Sequence, residues 1–169
     1  TVTDLFNALS LTFTSAGAVA ITENSASDLA GVNTAASLAL TSSGAITDQA
    51  TASTTIAGNA SFSGTSITLG DNVLDTFNAG SLTFNSAGAV VVTEDSNTDL
   101  SGTSTAASVV LVSTGAIIDD ATASTTVTGN ASLTGTSISL GDTGTDTFYV
   151  GSLTFNSTGA VTITEDCAT

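Results

Sequence analysis

The sequence predicts an all-β fold, a parallel and right-handed β-helix or β-solenoid, and three observations predict it. A long internal repeat runs through the chain without a gap. Apolar and hydroxyl residues alternate with period two. Glycine punctuates these runs, and no apolar stripe of helical period persists.

The repeat comes first. Ser10-Leu11-Thr12-Phe13 returns as Ser81-Leu82-Thr83-Phe84 and again as Ser152-Leu153-Thr154-Phe155, at the same offset of 71 each time (81 − 10 and 152 − 81). Residues 10–80 align with 81–151. Residues 1–9 match the end of a unit, and 152–169 open another. The whole of 1–169 therefore reads as one continuous solenoid segment, and its mid-unit start and stop suggest a window cut from a longer array. Within each unit a Ser followed by an apolar residue recurs at Ser10-Leu11, Ser37-Leu38, Ser61-Phe62 and Ser81-Leu82. The successive intervals are 27, 24 and 20 (37 − 10, 61 − 37, 81 − 61), and the second unit repeats them. Each interval reads as one coil, giving nested 71-residue repeats of three coils each. Leu11, Leu38, Phe62, Leu82, Val109, Leu133 and Leu153 are then expected to form one inward ladder.

Strands fill the coils. Leu11-Thr12-Phe13, Val19-Ala20-Ile21-Thr22, Ile67-Thr68-Leu69 and Ile138-Ser139-Leu140 alternate with period two, the signature of a strand with one buried face. β-Branched residues suit that conformation. Glycines 17, 44, 58, 64 and 70, with their copies, mark the corners, where positive φ is often needed. Short strands and corners at this spacing suit parallel stacking, each strand pairing with its equivalent one coil on. The parallel-crossover preference gives the right-handed sense. An antiparallel sandwich also shows short alternating strands, but the long period and the lack of hairpin dipeptides such as Asn-Gly favour the solenoid.

Composition narrows function. The 169 residues include no Lys, Arg or His, and 15 acids give a formal net charge of −15. Without cations there is no basic surface for phosphates, so nucleic acid is excluded as a partner, and anionic lipid is disfavoured. No apolar run is long enough for a membrane helix, so no membrane insertion is expected. His-based triads and Schiff-base lysines are absent. Only a carboxylate pair of glycosidase type is conceivable, and Asp119-Asp120, adjacent on an extended chain, would point apart. The chain reads as no enzyme.

The acids collect at strand ends. Glu23, Glu94 and Glu165 are expected on one side, three coils apart, roughly 14 Å at the spacing of stacked strands. The metal candidates are Asp71 and Asp75, repeated as Asp142 and Asp146, in Leu-Gly-Asp-x-x-x-Asp-Thr-Phe. Hard carboxylate oxygens suit Ca²⁺, which would also offset self-repulsion. Solvated acidic turns that keep the molecule soluble are the competing reading. No other cofactor is expected.

Other polar features each carry two readings. Thr-x-Thr triplets such as Thr1-Val2-Thr3 and Thr162-Ile163-Thr164 suit an ice-binding rank or ordinary outward strand residues. Asn59-Ala60-Ser61, Asn130-Ala131-Ser132 and Asn156-Ser157-Thr158 match the N-glycosylation sequon; amide ladders between coils explain them equally. Cys167 stands where Ser25 and Ser96 stand in the earlier units, as a drifted position or an intermolecular thiol.

The motif Ser-Leu-Thr-Phe-Asn-Ser-Ala-Gly-Ala-Val, with Gly-Asn-Ala-Ser and Thr-Ser-Ile-Thr-Leu-Gly-Asp, resembles the repeats of giant bacterial surface proteins, the filamentous-haemagglutinin-like adhesins. The resemblance covers nearly the whole chain. It implies a right-handed parallel β-helix, an extracellular or cell-surface address, and a role as a structural stalk, fibre or adhesin shaft. The expected partners are copies of the chain or adjoining repeats, stacked end to end, and a host or cell-surface glycan. A repeat-based module binding calcium, glycan or ice is the alternative function.

Overall fold

A computed structural model describes residues 6–166. Among them there is no helix, and all strand pairing is parallel, which removes the antiparallel sandwich. The strands are β1 (Ala18–Glu23), β2 (Ser27–Leu29), β3 (Val32–Ala35), β4 (Ser37–Ser42), β5 (Ile46–Asp48), β6 (Ser53–Gly64), β7 (Ile67–Leu69) and β8 (Thr76–Ser86). The same series returns as β9 (Ala89–Glu94), β10 (Thr98–Leu100), β11 (Thr103–Ala106), β12 (Ser108–Ser113), β13 (Ile117–Asp119), β14 (Ser124–Gly135), β15 (Ile138–Leu140) and β16 (Thr147–Ser157). β17 (Val161–Ile163) falls within the next copy of β1. The strand bounds thus recur at the offset of the sequence repeat (89 − 18, 98 − 27 and 124 − 53 are all 71).

The strands stack into a solenoid. One column runs Val19, Leu38, Ala60, Leu82, Leu100 and Asp119 through direct register partners. It continues through Leu140, one position beyond the Ile118–Ser139 pair, to Ile163. Those seven steps, at about 4.8 Å each, make a rod roughly 34 Å long. Alternation along each strand puts one face inside. In β7, Ile67 and Leu69 are fully buried around a partly exposed Thr68. Burying each Leu, Ile or Phe in this way contributes roughly 1.5–3 kcal/mol. Phe62 and Phe77 meet across the core with ring centroids 5.9 Å apart, tilted by 56°.

The coils are shorter than the Ser-apolar spacing suggests. Leu11 pairs with Leu29, a step of 18 (29 − 11), and Leu69 pairs with Val92, a step of 23 (92 − 69). The expected single ladder is therefore corrected. Leu38 stacks on Ala60 rather than Phe62; Phe62 stacks on Leu40; and Leu82 stacks on Leu100 rather than Val109. The expected ladder residues from Leu11 to Leu133 are all buried, and Leu153 is partly so, but they belong to different columns. Inward strand positions repeat every second residue, so a Ser-apolar pair marks an inward site without marking which rung it joins.

Three coils fit within each 71-residue unit, with about half a turn left over. Leu82, the copy of Leu11, sits just past the middle of the coil that runs from Leu69 to Val92. Successive copies consequently face opposite sides of the rod. β1 stacks on β4, whereas its copy β9 lies in the other column, between β7 and β12.

The glycines divide into two kinds. Gly70 has φ +65° and its copy Gly141 +63°, the left-handed region expected of a corner; Gly31 and Gly102 share it. Glycines 17, 44, 58 and 64 do not, which corrects the expectation for them. Close packing explains Gly58, where a Cβ would stand 2.8 Å from the Ala36 carbonyl oxygen of the coil before.

Candidate functional site

β5 carries the key residue. Ile46 and Asp48 face inward around outward Thr47, so the alternation drives a carboxylate into an otherwise apolar column. Asp48 stacks on Leu29 on one side. On its other side the next coil brings Leu69, then the Gly70 corner and the Asp71–Asp75 loop. The Gly70 N–H donates to Asp48 Oδ2 at 2.9 Å, while Asp48 Oδ1 is buried with no hydrogen-bond partner. Asp75 is also buried, and both its oxygens accept from the Asn72 N–H at 3.2 Å. Asp71 is exposed and accepts from Asn72 Nδ2 at 2.9 Å. One oxygen from each of Asp48, Asp71 and Asp75 lies within 4.8 Å of the others.

The second unit builds the same trio from Asp119, Asp142 and Asp146. Gly141 N–H donates to Asp119 Oδ2 at 3.0 Å, Asp119 Oδ1 is again buried and unpartnered, and Thr143 N–H donates to Asp146 at 3.1 and 3.2 Å. Asp142 instead accepts from Ser139 Oγ at 2.7 Å. The structure thus joins Asp71 to Asp75 and Asp142 to Asp146, as their spacing suggested, and adds Asp48 and Asp119. Burial, with repulsion from the two neighbouring aspartates, pushes the Asp48 and Asp119 carboxyls up to about 6. Three hard oxygen ligands at this spacing are of the kind that Ca²⁺ takes.

The glutamates do not form the one-sided column expected of them. Glu23 and Glu94 are buried, and the half-turn offset puts them on opposite sides of the rod. Each caps the chain one coil back: Ala8 N–H donates to Glu23 Oε1 at 2.7 Å, Ala79 N–H to Glu94 Oε1 at 2.8 Å, and Val150 N–H to Glu165 Oε1 at 3.2 Å. Ser27 Oγ adds a 2.6 Å bond to Glu23. Burial raises the Glu94 carboxyl above its ordinary value. Ser25 and Ser96, the counterparts of Cys167, donate to Glu23 and Glu94; Cys167 itself lies outside the described residues.

Unit-to-unit drift exposes one frustrated contact. In the first unit Asp28 accepts from Thr47 Oγ1 at 3.1 Å and Gln49 Nε2 at 2.9 Å. The copies of those donors are Ile118 and Asp120. Asp99, the copy of Asp28, keeps an unpartnered buried oxygen, and its carboxyl is raised by burial and then by Asp120. The double replacement Ile118→Thr with Asp120→Gln is expected to raise stability by about 1–2 kcal/mol by restoring both bonds. Thermal melting checks this, and an unchanged or lower midpoint would count against it. Asp119 faces inward and Asp120 outward, so these neighbours do point apart.

The hydroxyl features serve the stack. Asn59 Oδ1 accepts from Ser81, Thr83 and Ser101 at 3.1, 3.2 and 3.0 Å, and Asn130 accepts from Ser152 and Thr154. Both bond coil to coil, but through Ser and Thr hydroxyls and not as a buried Asn ladder: Asn59 is half-buried, and Asn130 and Asn156 are exposed. Outward Thr ranks are short: Thr34 and Thr55 are followed by Asn78, and Thr105 and Thr126 by Tyr149. Thr162 and Thr164 are exposed, while Thr1-Val2-Thr3 lies outside the described residues. Two surface hollows, of about 290 and 300 Å³, are lined by Phe6, Ala20, Ile21 and Thr22 and by Ala, Ser and Thr around Ala35, with no carboxylate in either. No family model matches the chain, and neither a curated protein nor a solved structure matches it significantly.

Proposed function

We propose that the chain is a non-catalytic rod or fibre segment of an extracellular bacterial surface adhesin or filament, with copies or adjoining repeats stacking end to end. The observation that carries this reading is the unbroken parallel column from Val19 to Ile163. Backbone hydrogen bonds run along the axis throughout, and each coil templates the next, which makes a stiff spacer. The last described coil leaves Leu153, Val161 and Ile163 only partly buried and Phe155 53% exposed, whereas Phe84, the copy of Phe155, is 1% exposed inside the stack. The acidic, cation-free surface suits a molecule that must stay soluble between its ends.

Two measurements test this reading. Electron microscopy of the purified chain over a concentration series should show filaments of constant width whose length grows with concentration. Antibody against the chain should label the surface of intact source cells. Compact particles at every concentration, with label confined to the cell interior, would refute both the assembly and the address.

A further inference from the structure

We propose that Asp48, Asp71 and Asp75, and again Asp119, Asp142 and Asp146, form two Ca²⁺ sites that clamp successive coils together. In each trio the first ligand comes from one coil and the other two from the next, so a bound ion would bridge the step between them. The mutual separations within 4.8 Å are what oxygens on opposite sides of one Ca²⁺ require, at about 2.4 Å each. The coordination number and geometry of Ca²⁺ are flexible enough to accept three carboxylates with water completing the shell.

Acidic clusters alone are commonplace; the inward carboxylate separates these two from the rest. Asp48 is 9% exposed, in a column where its stacked neighbour is Leu29. Its Oδ1 has neither solvent nor a hydrogen-bond donor, and Asp119 Oδ1 in the copy is in the same position. A buried, unpaired carboxylate oxygen beside two more carboxylates is costly unless a positive charge meets it. This chain has no Lys, Arg or His to supply one, so the charge must come from outside. The geometry recurs in both units although the loop sequences between the acids differ, Asn-Val-Leu in one and Thr-Gly-Thr in the other. Because copies face opposite sides, the two sites lie on opposite flanks of the rod, one per 71-residue unit.

Calorimetric titration of the chain with CaCl₂ at pH 7.5, after EDTA treatment and dialysis, tests the proposal alongside melting curves. Two sites are expected, with the melting midpoint rising by roughly 5–10 °C at saturating Ca²⁺. Asp48→Asn should leave one site, and Asp48→Asn with Asp119→Asn none. These variants remove a buried charge, so they should fold at least as well as the wild type in EDTA. Asp28→Asn, outside both trios, should keep two sites. Absence of binding in the wild type, or a Ca²⁺ response that persists in the double variant, overturns the proposal, the latter by showing general screening of the −15 charge. Neither result bears on whether the rods stack end to end.

Discussion

Replacing Gly70 with Ala is expected to cost about 3 kcal/mol or more, an effect its copy Gly141 should share. Two causes add. At φ +65° an L side chain is strained, at a cost of about 1–2 kcal/mol. The new Cβ would also stand 2.2 Å from the Thr93 carbonyl oxygen, a backbone atom of the next coil, and 3.4 Å from Phe77 Cβ. Thr93 cannot retreat without parting β7 from β9, where Leu69 pairs with Val92. The Gly70 N–H that holds Asp48 would shift with it. Gly144 is the internal control: it lacks positive φ, and a Cβ there meets nothing within 4 Å. Gly144→Ala should be neutral within about 0.5 kcal/mol. Urea unfolding of both variants measures the difference, and a loss under about 1 kcal/mol at Gly70 would contradict the described corner.

Acid should stabilise this protein when divalent ions are removed. Asp48 and Asp119 have folded pKa values of about 6, above the ordinary 3.8. Below pH 3.8 both are protonated in the folded and unfolded chain, and neither costs stability. As pH rises from 3.8 to about 6 the unfolded chain gives up these protons first, so the folded state holds more of them and stability falls. Above pH 6 the loss is complete. The full difference would be about 3 kcal/mol per group. Each carboxyl is only partly enclosed, one oxygen buried and Asp119 half-buried overall, and screening reduces this to about 1–2 kcal/mol each. Glu94 and Asp99, also raised, act in the same direction. The melting midpoint in EDTA should therefore be higher at pH 4 than at pH 7.5, and Asp48→Asn with Asp119→Asn should flatten much of that slope. A midpoint that climbs from pH 4 to pH 7.5 would contradict the placement of these carboxyls.

The class of fold was legible because its signals are local. Period two in Ile67-Thr68-Leu69 needs no partner to be seen, and the 71-residue repeat is visible as text. The coil length was not legible, because register depends on contacts between residues far apart in sequence. Leu38 could stack on Ala60 or Phe62 and keep its side chain inside either way. Only the pairing chooses, and the choice of Ala60 removes the 27-, 24- and 20-residue coils and reveals the half-turn offset.

The same dependence on register hid one member of each aspartate trio. Asp71 and Asp75 share a turn and were visible together. Asp48 precedes Asp71 by a whole coil of chain, and no local pattern joins them. A signal did exist: the alternation Ile46-Thr47-Asp48 already points Asp48 inward. Glu23 does end a strand, as expected, but its inward aim was equally readable. It sits at the end of the alternating run Val19-Ala20-Ile21-Thr22, on the inward phase, where the Ala8 N–H of the previous coil meets it.

Pairwise cysteine cross-linking tests the coil register most directly. In a Cys167→Ser background, Thr47→Cys with Thr68→Cys places thiols on direct register partners in adjacent coils. Neighbouring parallel strands bring such Cα atoms within reach of a disulfide. Thr47→Cys with Ile118→Cys places them on equivalent repeat positions, more than three coils apart on opposite sides of the rod. Under mild oxidation at low protein concentration the first pair should close within the monomer and the second should not. Closure of the Thr47–Ile118 pair, or failure of the Thr47–Thr68 pair, would contradict the stacking on which the rod and the proposed cation sites rest.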